Sequence, residues 1–180
     1  IDQVLKKTGF RIRVLNGEEE AYYSYLGASL MTCIPNGLFF DLGGGSLELV
    51  YTEDFNVEKA EALPLGALRL SRTFANEDGS FSKKNCDNMT QRILDTLPTK
   101  KNYGIGIDTL LVGAGGTLRA LGRYDQKHSG FPFEKVHNYR LTLNTIDSLR
   151  KDLSLLKPSE ISSGRSFDST RVETVVAGIH

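Results

Sequence analysis

Short apolar runs, separated by glycines and polar turns, mark the middle of the chain. Residues 37–41 and 47–52 are two such runs on either side of a glycine-rich turn, which is typical of a β-hairpin. The apolar residues within 57–65 and 109–112 predict two further strands. Near the start, residues 11–16 alternate charged and apolar side chains, as a half-buried strand does. The pattern therefore predicts a meander of strands, followed by strands that alternate with helices.

Apolar positions three and four residues apart predict the helices. The predicted helical ranges are 18–27, 67–74, 83–97, a helix that begins within 118–124, 143–156 and 168–180. Asn16 and Thr142 are available as N-caps, whereas Pro98 and Pro158 end two of these helices. Residues 126–134 are predicted to form a loop. The alternation indicates an α/β fold with a mixed sheet flanked by helices, and no composition shift divides the chain into domains.

Composition excludes a global electrostatic role for the chain. The 22 basic and 22 acidic side chains cancel, so no net field points to nucleic acid or an acidic membrane. No run approaches the roughly 18 consecutive apolar residues of a membrane-spanning helix, and no export signal precedes the first strand. Cys33 and Cys86 form no CxxC motif, so we expect both to be reduced and buried, in a cytoplasmic setting. The chain lacks an initiator methionine, which indicates a piece of a longer protein.

The turn of the predicted hairpin combines three glycines with two carboxylates. Its sequence is Asp41-Leu42-Gly43-Gly44-Gly45-Ser46-Leu47-Glu48. Glycines let backbone N–H groups approach an anion closely, because no Cβ intervenes. Asp41 and Glu48 flank the turn, and each can hold a hard cation such as Mg²⁺, directly or through its waters. This segment alone leaves open a hairpin whose glycines serve only the turn.

A second glycine loop follows the last predicted strand. Its sequence is Gly113-Ala114-Gly115-Gly116-Thr117. Leu118 stands where a G-x-G-x-x-G dinucleotide fingerprint needs glycine, and no G-x-x-x-x-G-K-[ST] string occurs in the chain. What remains is a helix N-terminus whose amides and dipole favour a phosphate, or else close packing of a helix on a sheet. Two such loops at strand ends describe a cleft that holds a phosphate chain from two sides.

The chain resembles the Ppx/GppA family of exopolyphosphatases and guanosine pentaphosphate phosphohydrolases in five short strings. These strings occur in the order and with the spacing that the family shows. They are N-G-E-E-E-A at 16–21, D-L-G-G-G-S-L-E at 41–48, L-G-A-L-R-L at 65–70, G-G-T at 115–117 and V-H-N-Y-R-L-T at 136–142. The resemblance implies a ribonuclease H-like domain of the actin, sugar-kinase and heat-shock-chaperone ATPase superfamily. The family's first phosphate loop, D-x-G-T-N-S, does not occur here. We therefore expect residues 1–180 to be the second domain of a two-domain catalytic module, inactive by itself.

The resemblance also implies roles for individual residues. Glu20 matches the proposed general base that activates the attacking water, and Asp41 and Glu48 match the acidic positions that hold Mg²⁺. The implied phosphate-binding residues are Gly43, Gly44, Gly45 and Ser46 in the first loop and Gly115, Gly116 and Thr117 in the second. Tyr22 and Tyr23 depart from the family pattern. Arg69 and His137 fall inside matched strings and Arg119 lies just after one, but the sequence assigns no role to them.

The activity that the resemblance implies is hydrolysis of a terminal phosphoanhydride in inorganic polyphosphate or guanosine pentaphosphate by the intact protein. A non-catalytic sensor of the same ligands is the alternative. A third hypothesis is ATP-dependent phosphotransfer by a sugar-kinase-like relative, but the sequence shows no adenosine site for it. The expected partners are the polyphosphate or nucleotide ligand and the missing N-terminal domain, but neither nucleic acid nor a membrane. Whether the intact protein forms a homodimer stays open.

Overall fold

The computed structural model describes residues 1–98, 103, 106, 109–133, 135–154, 156–163, 167 and 172–180. Its helices are α1 (Asp2–Thr8), α2 (Gly17–Ser29), α3 (Ala67–Phe74), α4 (Lys83–Thr96), α5 (Gly116–Ser129), α6 (Leu143–Ser154), α7 (Pro158–Ser163) and α8 (Val172–Ile179). Its strands are β1 (Gly37–Leu42), β2 (Leu47–Glu53), β3 (Asn56–Leu63) and β4 (Leu110–Ala114).

The four strands form one mixed sheet in the order β3-β2-β1-β4. Strand β2 pairs antiparallel with both β1 and β3, whereas β4 pairs parallel with β1. These pairings confirm the predicted hairpin and the mixed sheet. Because β1 and β4 are parallel, the loops that follow them leave the sheet at the same edge. The two glycine loops are therefore neighbours in space although they are far apart in sequence.

The predicted strand at residues 11–16 is wrong. In the described part of the chain this segment joins no sheet, and the side chains of Ile12 and Val14 are exposed. Helix α1, which precedes the segment, has no buried residue either. Alternating polarity indicates that one side of a strand becomes buried, but it does not supply the layer that buries it. Among the described residues, no such layer covers this segment.

Helices cover the two faces of the sheet unequally. Helix α2 lies on one face, where Ala21 and Tyr25 pack with Phe39 and Val50. The other face carries the larger core, to which α3 through α8 contribute. Its most buried members include Leu65, Leu70, Met89, Leu121, Leu153, Val175 and Val176. The sheet is therefore the middle layer, and in the described part of the chain α2 is the one helix that packs on the side that Phe39 faces.

Helix ends agree with the predicted caps, with one exception. Asn16 accepts a hydrogen bond from the Glu19 amide, and Thr142 accepts one from the Thr145 amide at 3.1 Å. Helix α5 continues to Ser129, so residues 126–129 are helical rather than part of the predicted loop. The buried Gln126 side chain holds this end by donating to the Lys135 carbonyl at 2.9 Å. Of the predicted helix at 168–180, residues 168–171 lie outside the described residues.

The two cysteines differ in exposure. Cys86 is buried on α4, as predicted, whereas Cys33 is exposed, contrary to the prediction. Cys33 lies in the short connection between α2 and β1, where hydrophobic composition alone does not decide burial. Among the described residues, no helix combines the length and the apolar character needed to cross a membrane.

Candidate active site

One row of residues crosses all four strands at the edge where the glycine loops emerge. In the observed register, Ala62 of β3 pairs with Glu48 of β2, Glu48 pairs with Asp41 of β1, and Asp41 pairs with Ala114 of β4. Residues that pair directly lie on the same face of a sheet. Asp41 follows Phe39 by two positions, so both project to the face that α2 covers. The two predicted metal-binding carboxylates are therefore side by side.

The N-terminus of α2 lies directly above this row. A Cβ on Gly17 would be 2.7 Å from the Cβ of Ala62, so only glycine allows the helix to start so close to β3. Glu20, in the first turn of α2, is near enough to Glu48 for its negative charge to raise the pKa of the Glu48 carboxyl. The structure thus places Glu20 within electrostatic range of Glu48.

The three consecutive glutamates of α2 have different environments. Glu19 is part of the helix cap: its carboxylate accepts from the Asn16 amide at 3.0 Å and also pairs with Arg13. Glu18 and Glu20 are both exposed. Glu20 is the member whose charge acts on Glu48. The sequence shows three equivalent carboxylates, and the packing of α2 separates them.

Glu48 is a buried carboxylate with little compensation in the protein. Glu48 is 3% exposed, and burial raises the pKa of its carboxyl. The hydroxyl of Ser46 donates a hydrogen bond to it, which lowers this pKa, whereas the charges of Glu20 and Asp41 raise it. The proton of Ser46, a predicted phosphate ligand, is therefore engaged with Glu48. A cation beside Glu48 and Asp41 would offset the repulsion between them.

The carbonyl groups of the first glycine loop all face α3. The Ala67 amide donates to the Gly43 carbonyl at 2.9 Å, and the Arg69 amide donates to the Gly44 carbonyl at 3.0 Å. The Arg69 side chain completes the set, because its Nε donates to the Gly45 carbonyl at 2.8 Å. The start of α3 is thus occupied by the protein's own loop.

The second loop lies against Asp41. Gly115 has a φ of 109°, and a Cβ there would lie 2.5 Å from the Leu42 carbonyl oxygen and 3.1 Å from Asp41 Oδ1. Only glycine satisfies both the backbone conformation and this close approach. Thr117 follows in the first turn of α5 and is 3% exposed, packed against Gly178 of α8. The loops that follow β1 and β4 therefore meet at the Asp41 carboxylate.

A cavity of about 450 Å³ opens between the two loops. The residues that line it are Asp41, Leu42, Gly43, Gly44, Ala67, Ala114, Gly115, Gly116, Thr117, Arg119 and Thr174. Among the described residues that line it, Arg119 is the only basic one and Asp41 the only acidic one. Glu20, Gly45, Ser46 and Glu48 are not among these lining residues. The structure thus brings five of the seven predicted phosphate-binding residues into one lining.

Two polar lining residues are not among the predicted site residues. Arg119 lies two positions after the matched G-G-T string, and only the cavity places it at the site. Thr174 comes from α8, which packs beside both α3 and α5. Nothing in its local sequence sets it apart from other polar residues on an apolar helix, so only the tertiary packing reveals it.

The carboxylates fit a cation that keeps much of its own coordination shell. Among the described residues, no three His, Cys, Asp or Glu side chains are close enough together to form a metal centre. Asp41 and Glu48 form a pair, and Mg²⁺ is commonly held by one or two carboxylates together with water and substrate phosphates. The donor set therefore suits Mg²⁺ and does not suit a metal that needs a complete protein cage.

Comparison with known proteins matches this geometry. The whole chain, residues 1–180, matches the model of a family described as the Ppx/GppA phosphatase family. An exopolyphosphatase 1 from Mycobacterium leprae is 28% identical over 99% of this chain and 53% of its own length. A guanosine-5'-triphosphate,3'-diphosphate pyrophosphatase from Aliivibrio fischeri is 35% identical over 63% of this chain and 23% of its own length.

A bifunctional 3-dehydroquinate synthase/phosphatase from Fusobacterium nucleatum is 25% identical over 99% of this chain and 27% of its own length. The chain thus spans between about a quarter and about half of these relatives. Among solved structures, an exopolyphosphatase from Cytophaga hutchinsonii has a TM-score of 0.84 at 22% identity, over 99% of this chain and 59% of that one. A likeness at this identity shows that the two chains share a fold.

Proposed function

Because the chain belongs to the Ppx/GppA phosphatase family, we propose that the intact protein hydrolyses the terminal phosphoanhydride bond of inorganic polyphosphate or guanosine pentaphosphate. The names of the exopolyphosphatase and pyrophosphatase relatives support this reaction class. The observation that carries the proposal is the placement of Asp41 and Glu48 side by side, at the edge from which both glycine loops emerge. Asp41, one of the two carboxylates, and the amides of both glycine loops then meet at one cavity.

The amide groups of both loops supply the phosphate contacts. The Gly44 carbonyl is engaged by α3, so its peptide turns the following N–H group away from that helix. At the second loop, the first turn of α5 offers the amides of Gly116 and Thr117, and the helix dipole adds to their attraction for an anion. The side chain of Arg119 adds a full positive charge to the same lining.

Asp41 and Glu48 would hold Mg²⁺ in the intact protein. When bound, the ion offsets the negative charge that accumulates on the transferred phosphoryl group. The buried, weakly compensated Glu48 is consistent with this role, because a carboxylate in such a position is stabilised by a nearby cation.

Glu20 is the proposed general base. It lies in the first turn of α2, where the positive end of the helix dipole attracts a carboxylate. Its oxygen would accept a proton from the attacking water while the glycine loops hold the terminal phosphate. In-line phosphoryl transfer leaves little else for the protein to supply beyond positioning and charge.

The remaining part of the intact protein would complete the cleft. The chain covers only about half of the exopolyphosphatase relatives, and its cavity opens at the sheet edge. We therefore place the second wall of the active site in the predicted N-terminal domain, and we expect the 180-residue chain to be inactive by itself.

The test measures phosphate release from polyphosphate and from guanosine pentaphosphate by the intact protein with Mg²⁺. Glu20→Gln should reduce turnover by about a hundredfold or more while ligand binding persists. Glu18→Gln is the matched control and should leave turnover unchanged, because Glu18 is in the same helical turn and equally exposed, but its charge does not act on Glu48. A protein that binds either ligand without releasing phosphate would instead be a sensor, and the hydrolase proposal would fail.

A further inference from the structure

We infer that Arg69 is a positioning residue for the first glycine loop, which it holds through the Gly45 carbonyl rather than by contacting the substrate. The identity of the ligand in this inference rests on the proposed function. The hydrogen bond from Arg69 Nε to the Gly45 carbonyl is 2.8 Å long, and no family string or loop pattern predicts it. It connects α3 to the end of the loop that lies next to β2.

Three consecutive peptide groups of the loop have the same orientation. The carbonyls of Gly43, Gly44 and Gly45 accept, in turn, from the Ala67 amide, the Arg69 amide and Arg69 Nε. In a trans peptide the C=O and the following N–H point in opposite directions. The N–H groups of Gly44, Gly45 and Ser46 therefore all point away from α3. Successive N–H groups on the same side of a loop can form a concave site for an anion.

Arg69 controls the last of these three peptide groups. The first two carbonyls are held by backbone amides at the start of α3, so they do not depend on side-chain identity. The third carbonyl is held by a side chain, and without it the Gly45–Ser46 peptide is free to rotate. Glycine at position 45 makes that rotation easy, because it has no Cβ to restrict φ and ψ.

The contact requires the geometry of arginine and not only its charge. Nε belongs to a planar guanidinium group, whereas lysine carries a compact ammonium at the end of a flexible chain. Lysine would keep a positive charge near the loop but would not hold the carbonyl in one orientation. Charge and positioning can therefore be separated by substitution.

Gly66 shows that α3 and the loop are in direct contact. A Cβ at this position would lie 2.4 Å from the carbonyl oxygen of Gly44 and 2.4 Å from the carbonyl carbon of Gly45. Gly66→Ala would therefore displace the loop while leaving the charge of Arg69 in place. It provides a second, independent perturbation of the same peptide groups.

The experiment compares Arg69→Ala, Arg69→Lys, Gly66→Ala and Arg72→Ala in the intact protein. Arg72 lies on the same helix, is exposed and carries the same charge, so it is the matched control. We expect the first three variants to lower kcat for polyphosphate hydrolysis by about tenfold or more, with a smaller change in KM, because misplaced amides weaken the transition state most. Arg72→Ala should match the wild-type protein. If Arg69→Lys retains full kcat, or Arg72→Ala loses as much as Arg69→Ala, the positioning role is overturned.

Amide hydrogen exchange tests the same inference without any ligand. The Gly43 amide donates to the carbonyl of Ser46, the residue that follows the carbonyl held by Arg69, and it should exchange several-fold faster in Arg69→Ala and Arg69→Lys than in Arg72→Ala. Unchanged exchange at Gly43 would overturn the inference even in an active enzyme. If the wild-type protein hydrolyses neither ligand but the Arg69 variants exchange faster, the proposed function fails and the positioning role stands.

Discussion

Asp41 and Glu48 are direct partners across the antiparallel pair of β1 and β2, so two carboxylates lie side by side in a largely buried setting. Such an arrangement favours the uncharged form of one of them. Burial, and then the charges of Glu20 and Asp41, raise the pKa of the Glu48 carboxyl. The site is thus less stable in the absence of a cation than an apolar equivalent would be.

Glu48→Gln should raise the melting temperature at pH 7. A carboxyl whose folded pKa is raised contributes full stability below its unfolded pKa, and that contribution is lost as the pH rises through the folded pKa. The gain from Glu48→Gln should therefore be present at pH 7 and vanish near pH 4, as measured by thermal unfolding across this range. Glu18→Gln, at an exposed position, is the control.

Mg²⁺ should reverse the order of the two melting temperatures, so that the wild-type protein becomes more stable than Glu48→Gln. If Asp41 and Glu48 hold the ion, adding Mg²⁺ stabilises the wild-type protein by mass action and leaves Glu48→Gln nearly unchanged. Melting temperatures over a Mg²⁺ titration provide the measurement. An equal shift in both proteins would show that the ion binds elsewhere.

Two glycine-to-alanine substitutions should have opposite effects on stability. A Cβ on Gly178 would lie 2.3 Å from Cγ2 of Thr117, so Gly178→Ala should cost about 1–3 kcal/mol and shift the second loop. Gly27, within α2, has open space around the same position, and Gly27→Ala should stabilise by about 0.5–1 kcal/mol. Urea unfolding of both variants measures the difference. A Gly178→Ala variant as stable as the wild type would contradict the observed contact of α5 with α8.

The turn between β2 and β3 should become more stable when Phe55 is replaced by glycine. Asp54 and Phe55 have φ values of 48° and 66°, which suit an Asp-Gly pair in a two-residue hairpin. Phe55 is 63% exposed, so Phe55→Gly removes little buried surface and should gain about 1 kcal/mol. Phe55→Ala keeps the unfavourable φ and should show no such gain. The denaturant midpoints of the two variants show whether relief of the backbone strain at position 55 or loss of the Phe55 side-chain contacts dominates.

His180 should make the protein less stable in mild acid. Its Nε2 lies 2.9 Å from Ser154 Oγ, and burial, followed by the charge of Arg150, lowers its pKa below 6.5. A histidine with a lowered folded pKa contributes stability that is present above its unfolded pKa and is lost as the pH falls through the folded one. The free energy of unfolding should therefore decrease below pH 6.5. This part of the decrease should disappear in His180→Gln, and an unchanged pH profile would contradict it.

Local sequence predicts much of this fold because the relevant signals are local. The β1–β2 hairpin and helix α3 follow from periodicity and from glycine and proline positions, and the structure has them within one residue of the predicted bounds. The proposed site is different, because its geometry depends on sheet register and on which helix crosses which strand. Thr174 reaches the cavity only through the packing of α8, and Arg69 reaches the loop only through the position of α3.

The strand predicted at residues 11–16 fails for a related reason. The alternating pattern predicts that one side of the segment is buried, but burial depends on what packs against that side. The same limit applies to the three glutamates of α2, because Glu18, Glu19 and Glu20 are chemically identical and the sequence does not show that Glu19 is the one that caps the helix. Only the position of α2 over Ala62 determines which carboxylate faces Glu48.

The register of β1 against β2 also limits how this protein can change its first glycine loop. Side chains alternate between the two faces of a strand, so adding or deleting one residue within the loop would shift the pairing by one position. Either Asp41 or Glu48 would then lose its partner, or one would point into the apolar core beside Leu65. The loop thus tolerates changes of composition far better than changes of length, and a functional homologue with one residue more or fewer here would need a compensating bulge in β1 or β2.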